Sequence, residues 1–135
     1  MKYLRTGLTA LGLAFTLAAC GQKPPPPPPM VYYDGQFSGS IRLTGVASGA
    51  DKSWCEASPQ FSVDVVQNAF TFTQQHPQTP NGGGASTYLA TVARDGTFQG
   101  ESNSTGLMTG KIDGTQMTGN IDGIGCAYQF TATRL

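Results

Sequence analysis

Met108-Thr109-Gly110-Lys111-Ile112-Asp113-Gly114 is repeated nine residues later as Met117-Thr118-Gly119-Asn120-Ile121-Asp122-Gly123. Nine residues suit one strand of about six with a tight turn, so each copy is one stave of a sheet. Strand side chains alternate, which puts Met108, Gly110 and Ile112 on one face, and likewise Met117, Gly119 and Ile121. Glycine inside a strand weakens it, so glycines at equivalent points call for a sharp bend, a bulge, crowding in a narrow barrel, or a ligand close to the backbone. The same beat, a large apolar residue and then glycine two on, occurs at Phe37-Ser38-Gly39 and Phe98-Gln99-Gly100.

Outward from the repeat, period-two patterns continue in both directions. Phe37, Ile41 and Leu43 alternate with Ser38, Ser40 and Arg42, and Phe61, Val63 and Val65 form a second such run. Beyond a Gln67-Asn68 turn, Phe70 and Phe72 alternate with Thr71 and Thr73. Residues 74–85 read as a long polar loop, rich in Pro and Gly. Strands are then expected over 86–93, 97–102, 106–112, 116–121 and 126–133, the last with Cys126, Tyr128, Phe130 and Ala132 on one face. About eight short strands with short turns and no helical periodicity predict an all-β fold. The expected architecture is a small antiparallel meander, either an eight-stranded barrel or a compact sandwich.

The N-terminus has a basic start at Lys2 and Arg5, then an uncharged apolar stretch over 8–19. That stretch is shorter than the roughly 20 apolar residues a spanning helix needs, so it reads as a processed targeting segment. Its ending, Leu17-Ala18-Ala19-Cys20, resembles the lipobox of bacterial lipoproteins. The resemblance implies cleavage before Cys20, a diacylglyceryl thioether on its sulfur and a further acyl chain on its amine, enough to anchor the protein stably. Gly21 rather than Asp follows, which in that family favours the outer membrane over the inner. The organisation expected is a signal peptide at 1–19, a lipidated cysteine and proline-rich linker at 20–32, and a β domain at 33–135. Six consecutive prolines, Pro24 to Pro29, make an extended rod on the order of 19 Å long, a spacer or a docking site for an aromatic groove.

From Cys20 onward six basic residues face eight acidic ones, a net of minus two with no basic cluster, which argues against nucleic acid. With Cys20 used for lipid, Cys55 and Cys126 remain as a pair in an oxidising compartment and are expected to form one disulfide.

Signals for chemistry are weak. His76, the sole histidine, lies in the expected loop, and no Gly-x-Ser-x-Gly accompanies it. Asp95, Asp113 and Asp122 each precede a glycine in a turn, where they bond to their own backbone, and no dense run of oxygen ligands suggests calcium. Asn81-Gly82-Gly83-Gly84 lacks the lysine of a phosphate loop. The sequence thus calls for no catalytic residue, cofactor or metal. Trp54 beside Cys55 is either core against the disulfide or an exposed anchor for a protein contact. Phe98, Met108, Met117 and Tyr128 would line a ligand cavity if the interior is open and fill the core if it is not.

Tyr-Asp-Gly-x-Phe at 33–37, Gly-Thr-Phe-x-Gly at 96–100, the glycine-turn repeat and Cys-x-Tyr-x-Phe-x-x-x-Arg at 126–134 resemble small, uncharacterised exported proteobacterial proteins. More distantly, the chain is similar to small lipoprotein barrels that inhibit proteases, though without their tryptophan-bearing strand motifs. It is also similar to barrel domains of surface lipoproteins that bind host proteins. These resemblances imply a non-catalytic, membrane-anchored envelope lipoprotein that binds another envelope protein or plays a structural part. The alternatives are a carrier of a small apolar molecule and a protease-inhibitor-like barrel.

Overall fold

A computed structural model describes residue 21 and residues 23–79 and 82–135. Eight strands, β1 Gly35–Val46, β2 Gln60–Val65, β3 Ala69–Thr79, β4 Gly82–Val92, β5 Thr97–Ser102, β6 Leu107–Asp113, β7 Gln116–Asp122 and β8 Cys126–Arg134, form one antiparallel sheet. Its order is β2-β1-β8-β7-β6-β5-β4-β3, so every neighbour is a chain neighbour except β1 and β8, which join the two ends of the domain. The sheet curls into a nearly closed barrel, which decides between the two architectures left open by the sequence.

Turn chemistry places the strands. Gln67 and Asn68 both take left-handed backbone, with φ 51° and 59°, in the two-residue turn between Val66 and Ala69. Gly114, at φ 58°, does the same at the first position between Asp113 and Gln116. Positive φ gives a hairpin turn the twist of its flanking strands. In β1 the register shifts between Leu43 and Gly45, and such a bulge bends a long strand enough to meet β8.

Side chains alternate as expected, every second residue of β2 and β7 being buried. The interior is filled: Phe61 packs on Phe72 and Phe130 with ring centroids 4.6 and 4.1 Å apart. These rings also close the barrel where β2 and β3, the two sheet edges, share only the bridge between Val66 and Ala69. The repeat glycines find their reason here. Gly110 lies opposite Phe98 and Gly119 opposite Phe130, and a methyl group at either position would run into the ring. The glycines make room for aromatic side chains in a narrow interior.

One expectation is corrected. Residues 74–85 are not a long loop, because β3 runs on to Thr79 and β4 starts at Gly82. The pairs Gln74 with Ser86, Gln75 with Ala85 and His76 with Gly84 continue the ladder, and the register shifts only past His76. Hydrogen bonding to β4 holds these polar residues in a strand that their hydropathy alone would not suggest.

One end of the barrel is closed. Asn68 accepts a hydrogen bond from the Tyr33 backbone N–H through Oδ1 (2.8 Å) and donates from Nδ2 to the Val31 carbonyl (2.8 Å). Arg134 donates to the Asp34 carbonyl (2.8 Å) and lies over the Phe37 ring. The segment before β1 is thereby tied under the barrel, and the prolines extend from that end, with the Pro28 carbonyl accepting from Arg94.

Candidate functional site

The opposite end is open. It is built by the 3-10 turn Lys52–Cys55 in the β1–β2 connection, the far ends of β3 and β4, the β5–β6 turn and the β7–β8 turn. Together they surround a cavity of about 250 Å³. Gln74, Tyr88, Cys126 and Tyr128 are its buried side chains, Trp54 and His76 are half-buried, and Ile124 stands exposed at its edge.

Trp54 is held on both sides. Asp51 caps the turn by accepting from the Ser53 N–H (2.9 Å) and hydroxyl (2.7 Å), bonds that hold its carboxyl below the ordinary carboxylate pKa. On the other side Cys55 is bonded to Cys126 with a Cα separation of 5.5 Å, and the Tyr128 hydroxyl donates to the Cys55 carbonyl (2.7 Å). Burial, with a smaller contribution from Tyr88, pushes Tyr128 up to about 12. Tyr88 is also raised by burial, so both phenols are neutral donors at physiological pH.

The Trp54 and His76 rings lie stacked, nearly parallel, with centroids 5.6 Å apart. His76 Nε2 shares a hydrogen bond with the Ser86 hydroxyl at 3.1 Å, while Nδ1 has no hydrogen-bond partner. Burial lowers the His76 pKa below the usual imidazole value, partly opposed by the polar backbone of Trp54, and the ring is therefore neutral at pH 7. Gln74 is only 3% exposed, and neither its Oε1 nor its Nε2 meets a protein partner. A buried polar group left without a partner costs about 1–3 kcal/mol, so nearly all of them find one. Among the described residues, no Asp, Glu, Lys or Arg lines the cavity.

The residues singled out in the sequence fall in different places. Cys20 lies outside the described residues. Cys55 and Cys126 are joined at the mouth. Phe98, Met108 and Met117 are buried in the filled interior and do not line the cavity, whereas Tyr128 does. Trp54 is both core and surface, packed on buried neighbours with part of its ring open. Gln74 was missed, and His76 set aside, because their polarity suggested a loop; Ser86 falls in an expected strand but carries no signal of its own. The signal that marks two of them is phase: Phe70, Phe72, Gln74 and His76 continue a single inward-facing alternation.

Among the described residues, no cluster of three or more His, Cys, Asp or Glu side chains could hold a metal, and no helix is long and apolar enough to cross a membrane. A larger depression, about 540 Å³, runs outside along the β2–β3 slit between Ser62, Asp64, Thr71 and Leu89. It is open to solvent and none of the unpartnered buried polar atoms belongs to it, so the mouth is the more specific site. No protein-family model, curated protein or solved structure matches the chain.

Proposed function

We propose that the chain is an exported, lipid-anchored lipoprotein of the cell envelope, whose β-barrel is a non-catalytic binding module working through its open mouth. The observation that carries this reading is polarity along the barrel. The proline-rich linker leaves from the closed end, tied by Asn68 and Arg94, and the cavity opens at the other. An acyl anchor on Cys20, as the lipobox pattern implies, would thus present the mouth away from the lipid, with the proline rod as spacer. Gly21 after that cysteine favours the outer membrane. Membrane lipid is one partner in this reading, and an envelope component that enters the mouth is the other.

A binding role is supported by what surrounds His76. It contacts Ser86, yet no acid orients its Nδ1 and its basicity is depressed, the reverse of what an activated serine needs. The apolar-carrier alternative loses support in the interior, where Phe98, Met108 and Met117 are packed among other side chains. Metabolic labelling with palmitate, followed by detergent-phase partition, tests the anchor. The native chain should take up label and Cys20→Ser should not; equal labelling, or none in either, overturns it. Photo-crosslinkers placed at Ile124 in the mouth and at Gln67 at the closed end test the polarity. Discrete adducts are expected from 124 only, and adducts from 67 alone would reverse the assignment.

A further inference from the structure

We propose that the mouth cavity is a binding site for an uncharged amide group with its donor and acceptor on one edge, a lactam or a primary carboxamide, paired with the Gln74 side chain. The inference rests on the mouth being the working end and gives it a ligand class.

Gln74 carries two donor hydrogens on Nε2 and two lone pairs on Oε1, and the protein meets none of them. A single hydroxyl or a single carbonyl would satisfy one side of that amide and leave the other bare. A group with N–H and C=O on the same edge satisfies both in one two-bond ring, with Gln74 Nε2 donating to its carbonyl and Gln74 Oε1 accepting from its N–H. A peptide-bond amide in the trans form points those groups in opposite directions and can make only one of the two bonds. Charge is excluded by the lining. Without a countercharge among its residues, the cavity would strip water from an ion and return nothing.

The remaining features fit the same group. The flat Trp54 ring, backed by stacked His76, supplies an apolar wall for a planar ligand. The volume equals that of on the order of eight water molecules in the liquid, enough for a small ring with a substituent.

Such an amide can come from a free small molecule or from a carboxamide side chain on a peptide, and the test has an arm for each. Trp54 is the chain's only tryptophan, so its emission reports on the cavity. The full chain in detergent is titrated with 2-pyrrolidinone and acetamide, with a capped Gly-Gln-Gly peptide, and with acetate, methylammonium and N-methylacetamide as mismatched probes. The ¹⁵N-labelled side-chain amide of Gln74 is followed in parallel. Saturable binding of at least one same-edge amide is expected, roughly millimolar as probes this small allow, with every mismatched probe at least ten-fold weaker. Tighter binding by the peptide than by acetamide points to the peptide source, and the opposite order to a free ligand. Gln74→Leu should lose the preference while keeping a cooperative melt, and Gln74→Met serves if the leucine variant does not fold. Mismatched probes binding as well as the lactam, an unchanged preference in the variant, or a cavity that holds ordered water and takes up no amide would overturn the proposal. Crosslinks from position 124 without amide binding would sink this inference alone, and a failure of palmitate labelling would touch only the anchor.

Discussion

Two carboxamides at opposite ends of one barrel differ in a way that separates stability from function. Asn68, at the closed end, uses its oxygen on the Tyr33 N–H and its nitrogen on the Val31 carbonyl, while its own backbone N–H finds the Asp34 carboxylate at 3.0 Å. Gln74, at the mouth, is buried with both amide atoms unpartnered. The same chemical group is spent on holding the fold at one end and left poised at the other. Where a fold leaves a buried amide bare, the missing partners come from outside the chain, as water or ligand. Arg134 Nε at the closed end also lacks a partner, so what sets the mouth apart is a whole side-chain amide left bare, in a region held by covalent and hydrogen-bonded devices around Trp54.

The largest of those devices is the disulfide. Cys55 and Cys126 stand 71 residues apart in sequence. In the chain-entropy account, closing such a loop stabilises by about 4 kcal/mol. Reduction, or Cys126→Ala, is therefore expected to lower the unfolding free energy by about that amount in urea melts. A loss below about 1 kcal/mol would mean that the mouth is held by its packing alone. At the closed end Asn68→Ala removes two side-chain hydrogen bonds and leaves alanine at φ 59°, a left-handed conformation it adopts poorly. A loss of about 2 kcal/mol is expected from the same measurement. The contrast sharpens with Gln74→Leu, which should go the other way and raise stability by about 1 kcal/mol, because an apolar side chain of similar size removes the unsatisfied amide. A destabilisation there as large as that of Asn68→Ala would mean that Gln74 is satisfied in the native protein, and the comparison between the ends would collapse.

Much of this architecture was legible in the chain before any fold was seen, for physical reasons that can be named. Met108 and Met117, Ile112 and Ile121 repeat with a strict period of two, and Asp113-Gly114 marks the turn between them, so each stave declares its face locally. The disulfide follows from counting, since only Cys55 and Cys126 remain once Cys20 is set aside. Closure into a barrel was not legible. It depends on β1 pairing with β8 across most of the domain, and on a bulge at Leu43 and Gly45 that no local pattern announces. The mouth was hidden for a different reason. Hydropathy assigns Gln and His to the outside, yet Gln74 and His76 keep the inward phase set by Phe70 and Phe72. A site that places polar groups inside breaks the pattern by which cores are recognised, and this is why it read as a loop.

The smallest effect expected is also the most local. Of the cavity's titratable side chains, Tyr88 and Tyr128 stay protonated through neutral pH, which leaves His76 to respond to mild acid. Its folded pKa lies below the ordinary value of 6.5 and its unfolded pKa near it. The unfolded chain therefore takes up the proton first as pH falls. The stability that His76 contributes is complete above about 6.5, is lost as pH drops through the folded pKa, and changes no further below that. The ring is partly exposed, so solvent screening keeps the effect small, a shift of a few degrees at most in melting temperature. Melting curves between pH 7.5 and 5 should show this decline in the native chain and not in His76→Asn. A decline that persists unchanged in the variant would move the acid response away from the mouth. It would also remove the evidence that the histidine facing Trp54 is held neutral, and with it the case for an uncharged lining.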